Sequence, residues 1–335
     1  DLALDYDPLL QAADYRRQAT GESKAIARAN LLPQLGASGR WNWGETETKV
    51  PGLELDDSDI ENNSYGIDLR QSLYRQANYE ALDIARGQIS EAEAFYQISY
   101  IDFLLRVSTR YFTVLTLLDG VTFAEAEEKA FKRQFEQAEQ RFEVGLTAVT
   151  DVHEARATYD NARARAIVAR NDLEDAKEAL RELTGVYFEE YDRLQETLPL
   201  VEPDPINVEE WVDMALQNNP SVLAARASVD VAEANMRFAR SGHFPTLDLV
   251  AGYNQFTNEQ YVYRDFVNGV ELTTDLEVTD TTFGLILDIP LYEGGRVSAQ
   301  TRQARYLLDA TGQDMDATNN GVVREAQNAY RAVLA

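Results

Sequence analysis

Arg141-Phe142-Glu143-Val144-Gly145-Leu146-Thr147-Ala148-Val149-Thr150-Asp151-Val152 reads as a tight reversal between two long helical runs, and that reading decides the fold. Behind it, apolar or small residues fall at Ala155, Tyr159, Ala162, Ala166, Ala169, Leu173, Ala176, Leu180 and Leu183, in alternating steps of four and three. That spacing is a heptad seam. Ahead of the reversal the same steps give Ala124, Glu128, Phe131, Phe135, Ala138 and Phe142, with Glu128 the one charged interruption. Two seams joined by a short turn make an antiparallel coiled-coil hairpin. Gly145 is placed to take the left-handed conformation that ends the first helix. Asp151, with Glu154 three residues on, is expected to cap the second.

Moving outward, the helical run ahead of the turn begins near Gln76 and spans about 100 Å at 1.5 Å per residue, with Asp119-Gly120 its weakest interior point. Beyond that run the chain repeats itself. Pro8 and Pro220, and Pro33 and Pro245, are each 212 residues apart, whereas Tyr65 and Phe283, and Tyr74 and Tyr292, are 218 apart. The chain is therefore read as a tandem duplication whose second copy carries six extra loop residues. Each copy runs helix, strand, loop, strand, long helix. The expected first repeat covers 1–211: a helix, strands at about 34–45 and 63–73, a helical hairpin at about 76–184, and a connector at 185–211 whose Tyr187, Phe188 and Tyr191 suit a packed region better than a linker. The second, 212–335, stops before a hairpin tip of its own, which would fall near position 363.

The strands show period two. Leu35, Ala37, Trp41 and Trp43 share a face, as do Tyr65, Ile67 and Leu69, then Leu247, Leu249, Ala251 and Tyr253, then Phe283, Leu285, Leu287 and Ile289. About ten residues each is the length of a tilted membrane-crossing strand, and the polar segments Gly44–Asn63 and roughly Phe256–Thr281 read as loops. A soluble sandwich shares this alternation. Four strands cannot close on themselves, however, and an open edge is not tolerated in hydrocarbon. Strands from several chains are needed: two chains would make a filled barrel, and three would leave a lumen.

Composition narrows the partners. Lys and Arg number 31 against 57 Asp and Glu, a net charge of −26, which disfavours nucleic acid and concentrates cations in any enclosed passage. There is no cysteine, and the two histidines, His153 and His243, are far apart with no metal-ligand spacing. No nucleophile elbow or phosphate loop is present. No enzyme, cofactor or metal site is expected.

Gln71-Ser72-Leu73-Tyr74, the Arg141–Asp160 segment, Gly242-His243-x-Pro245-Thr246-Leu247-Asp248-Leu249 and Pro290-Leu291-Tyr292-x-Gly294-Gly295 together resemble segments of TolC-type outer-membrane efflux proteins, in order and over the whole chain. The resemblance implies an α+β membrane protein: a trimeric twelve-stranded transmembrane β-barrel, four strands per chain, continuous with a coiled-coil periplasmic tunnel. It implies a passive exit duct in the outer membrane of a Gram-negative bacterium. Its partners would be two further copies of the chain, a periplasmic adaptor (membrane fusion) protein, an inner-membrane RND-type or ABC-type transporter, and outer-membrane lipid. Thr150 and Asp151 match gate positions. Val144, Gly145, Leu146 and Thr147 form a tip suited to docking the adaptor. Asp68, Asp248 and Asp288, on the polar strand faces, would line a cation-attracting lumen. Tyr65, Ile67, Leu69, Leu247, Leu249, Phe283, Leu285 and Leu287 would face lipid. The alternative is a secreted or surface coiled-coil fibre, structural or adhesive, which would need no outward aromatic band.

Overall fold

The computed structural model describes residues 2–46, 58–194, 203–265 and 270–334. In chain order the elements are α1 (Leu2–Tyr6), α2 (Pro8–Gly21), α3 (Ser23–Ala29), β1 (Gln34–Thr46), β2 (Ser58–Arg75), α4 (Gln76–Glu143), α5 (Val149–Thr184), α6 (Val208–Asn218), α7 (Pro220–Ser241), β3 (Thr246–Asp265), β4 (Val270–Asp288) and α8 (Arg296–Leu334). Residues 1–19, 92–223 and 321–335 form one compact unit, and residues 20–91 and 224–320 form the other. Both units draw on both halves of the sequence.

The first unit holds the helical hairpin. Ala162 and Ala166 are fully buried, Leu173, Leu180 and Ala124 nearly so, and the other seam positions of α5 are half-buried. Phe135 and Tyr159 stack across the seam with ring centroids 6.1 Å apart. Ion pairs flank it: Arg165 meets Glu127 at 2.8 Å and Arg170 meets Glu125 at 2.9 Å. Glu128, the charged interruption, is served by Arg170 at 3.7 Å. Of the expected seam only Phe142 is exposed, in the last turn of α4. α4 passes Gly120 without a break.

The start of the connector is packed, as its aromatics imply. Tyr191 lies against Val114, Leu173 and Leu180, and Tyr111 donates to the Asp192 carbonyl at 2.8 Å. The Lys177 ammonium and the Tyr187 hydroxyl hold the Glu174 carboxyl below its usual range. Pro199 lies outside the described residues. α6, not expected from the sequence, follows, with Asn207 accepting from the Glu209 amide at 3.0 Å as its cap. The N-terminal helix is three pieces. Asp7 caps α2 by accepting from the Leu9 amide at 2.7 Å with Pro8 in the first turn, and Glu22 separates the end of α2 at Gly21 from α3.

The second unit contains one antiparallel four-stranded sheet in the order β1-β2-β3-β4. All four strands, at 13, 18, 20 and 19 residues, exceed the expected ten. Much of the two stretches read as polar loops is in fact ladder: β3 and β4 stay paired out to Asp265 and Val270. Alternation of apolar residues marks only the part of a strand with one greasy face, whereas backbone pairing continues through polar side chains such as Asn62 opposite Asn42 and Asn258. The middle of the first loop, 47–57, lies outside the described residues. Below the sheet α4 and α7 pack closely. Arg237 donates to Glu80 at 2.9 Å, and a methyl at Gly87 would sit 2.7 Å from Val231 Cγ2.

Candidate functional site: a two-faced sheet and a helical tip

Residues directly opposite in antiparallel strands point to the same face, so register assigns the faces. Leu35, Leu69, Ala251 and Phe283 form one row across all four strands; Ala37, Ile67, Tyr253 and Thr281 form the next, and Gly39, Tyr65, Gln255 and Thr279 the one after. Leu249 pairs with Leu285, and Leu247 with Leu287. The eight residues expected to face lipid thus share one side of the sheet. Phe283 is 78% exposed, and Leu285, Leu287, Tyr65 and Ile67 are exposed too; Leu69, Leu247 and Leu249 are half-buried. Trp41 and Trp43 continue this face toward the free ends of the strands, and the Trp43 indole donates to Glu61 at 3.1 Å.

The other face is polar. Asp68 sits in a row with Gly36, Gly252 and Thr282, and Asp288 in a row with Thr246. Both are exposed. Asp248 is on this face as well but is not a free acid: its side chain is 2% exposed, and Oδ2 accepts from Arg70 Nη2 at 2.6 Å and from Arg75 Nη2 at 2.9 Å. Alternation placed Arg70 on the polar face. It could not place Arg75, because an irregularity between Ser72 and Tyr74 re-phases the end of β2.

At the far end of α4, Gly145 has φ +76°, its amide reaches the Phe142 carbonyl at 2.9 Å, and the Leu146 amide reaches Arg141 at 2.8 Å. This pair of bonds is the Schellman termination, and the left-handed residue it requires is glycine. Val144 and Leu146 stand out from the turn, Leu146 at 76% exposure, and Thr147 is half-buried. The expectation that Asp151 caps α5 fails. The cap position is Ala148, in extended conformation with no side-chain bond, and Asp151 lies within the first helical turn. There its carboxylate accepts from the Thr147 hydroxyl and, at 3.5 Å, from Thr150, and it meets the positive end of the helix dipole. The cap at Ala148 brings the helix start forward by three residues relative to an Asp151 cap.

Among the described residues no group of His, Asp or Glu could hold a metal ion, and no helix is long and apolar enough to cross a membrane. The latter says nothing about strands.

Comparison with known proteins agrees with this arrangement. Residues 1–186 and 211–335 match the family described as Outer membrane efflux protein. The outer membrane protein TolC of Vibrio cholerae is 35% identical over 97% of this chain, and the alkaline protease secretion protein AprF of Pseudomonas aeruginosa is 31% identical over 98%. The chain spans 71% and 67% of those two proteins. The CmeC outer membrane channel of Campylobacter jejuni superposes with a TM-score of 0.72 at 15% identity, over 98% of this chain and 70% of that one. A continuous four-stranded meander with one apolar face, a Gly145-terminated helical hairpin and a family match over both halves lead to one assignment: the chain belongs to the outer membrane efflux protein family, the TolC-type proteins of the outer membrane.

Proposed function

We propose that three copies of this chain form the outer-membrane exit duct of a tripartite efflux or type I secretion system, passively conducting cargo handed over by an inner-membrane transporter and its periplasmic adaptor. The observation that carries this is the sheet. It has one apolar face, one polar face and, among the described residues, an unpaired edge on β1 and another on β4. Apolar side chains such as Phe283 and Leu285 need a non-aqueous neighbour, and in hydrocarbon every backbone polar group must be paired. Closure by further copies satisfies both demands, and twelve strands leave a passage lined by the polar face. A fibre has no use for the exposed apolar rows.

The sites follow from the same reading. The rows from Leu247 to Tyr65 would meet lipid, with Trp41 and Trp43 at the outer interface, where amphipathic rings settle. Val144, Gly145, Leu146 and Thr147 would dock the adaptor, and Thr150 with Asp151 would belong to the gate. Transport of this kind requires no chemistry from the chain. The test is mass photometry and single-channel recording on protein extracted in detergent. A trimer with stable conductance is expected, and a folded monomer that does not conduct would remove the proposal.

A further inference from the structure

We propose that Arg70 and Arg75 determine the charge specificity of the duct at the base of the strands, cancelling the acidic field there so that carboxylate- or phosphate-bearing solutes can pass; this rests on the duct reading above. A chain with a net charge of −26 should repel anionic cargo from any passage it encloses. The base of the polar face is built differently. Asp248 faces Ser72 across the β2–β3 ladder, so Arg70 and Arg75 lie on its two diagonals, the second brought round by the irregularity at Leu73. Both guanidiniums converge on one oxygen, Asp248 Oδ2.

The arginines are not used up by this contact. Their side chains remain 59% and 36% exposed around a cavity of about 240 Å³ that Asn30, Gln34 and Ser72 also line. Each guanidinium carries five N–H donors, so most are not taken by Asp248. Two cations against one buried anion leave one positive charge in excess. A further acid on the same face is the exposed Asp288, in the row of Arg75 and Thr246. Counting it, the base of the sheet is neutral, and Asp68, one step up from Arg70, is the acid that remains without an arginine partner among the described residues at this level. Of the three acids expected to draw cations, two are therefore offset by arginines.

Reversal potentials of the full-length chain in planar bilayers under a potassium chloride gradient test this. Arg70→Gln should shift the permeability ratio toward cations by roughly twofold or more, and Asp248→Asn, which keeps both arginines and the side-chain shape, should shift it toward anions by a similar factor. A purely structural clasp would move neither. If Arg70→Gln does not assemble, Asp248→Asn decides alone. Unchanged potentials in a conducting channel overturn this inference and leave the duct reading standing, whereas a parent that fails to conduct overturns both.

Discussion

Arg75 reaches Asp248 at 2.9 Å across a gap of 173 residues because Leu73 is an extra residue in β2. In an unbroken strand Arg70 and Arg75, five apart, would point to opposite faces. With the ladder passing from Ser72 directly to Tyr74, Tyr74 falls on the apolar face opposite Leu247 and Arg75 turns to the polar one opposite Thr246. The second repeat has no counterpart: β4 ends at Asp288, and Pro290, which lacks an amide proton, prevents the strand from continuing.

This relationship should be visible in stability. Arg75→Ala leaves Asp248 with Arg70 and should cost about 1 kcal/mol, because the arginine is half exposed; Asp248→Ala, which strips both arginines of their buried partner, should cost about 1 to 3 kcal/mol. Deleting Leu73 should be better tolerated than Asp248→Ala, since it leaves Arg70 and Arg75 four apart and on the same face of an unbroken strand. Thermal unfolding of the detergent-solubilised protein measures all three. Parental melting of Asp248→Ala would mean that the cluster holds nothing.

The two sheet faces should differ in their tolerance of charge. Leu285→Arg places a guanidinium on the apolar side and should cost about 2 to 4 kcal/mol in a membrane-inserted barrel. Asp288→Arg, on the polar side, should assemble nearly as the parent does. Heat-stable oligomer on a semi-native gel is the readout; equal damage from both would show that the faces are wrongly assigned.

At the helical tip, capping and charge can now be separated. Because Ala148 rather than Asp151 holds the cap position, Asp151→Asn should change α5 stability only by the loss of a charge near the helix start, about 0.3 to 1 kcal/mol. If Asp151 belongs to the gate, the same substitution should raise single-channel conductance without dissociating the oligomer. Leu146→Asp should leave conductance alone and abolish export, since its apolar surface matters only when an adaptor covers it. Normal export with Leu146→Asp, together with parental conductance for Asp151→Asn, would reduce this segment to a simple turn.

Glycines inside α4 should respond in opposite directions. A methyl at Gly87 would press on Val231, and Gly87→Ala should cost about 1 to 3 kcal/mol by forcing α4 and α7 apart. Nothing lies within 4 Å of one at Gly120, so Gly120→Ala should stabilise the helix by up to about 1 kcal/mol. Calorimetric melting temperatures moving the same way would contradict this packing.

What the sequence determined by itself is whatever periodicity and local chemistry carry. The heptad steps from Ala155 to Leu183 predict a buried stripe, and those positions are buried or half-buried; Gly145 between two helical runs predicts a left-handed stop, and φ is +76°. Alternation sorted Tyr65, Leu249 and Phe283 from Asp68 and Asp248 because a side chain's face follows from its own place in a strand. The tertiary structure decided what depends on a partner far along the chain. Strand length came from pairing, which polar residues support as well as apolar ones. The earlier start of α5 came from how the turn crosses between helices, and the neutralisation of Asp248 came from register with a bulged strand 173 to 178 residues away. A one-residue shift in register reverses a face, and no pattern read along a single strand reports where its neighbour has slipped.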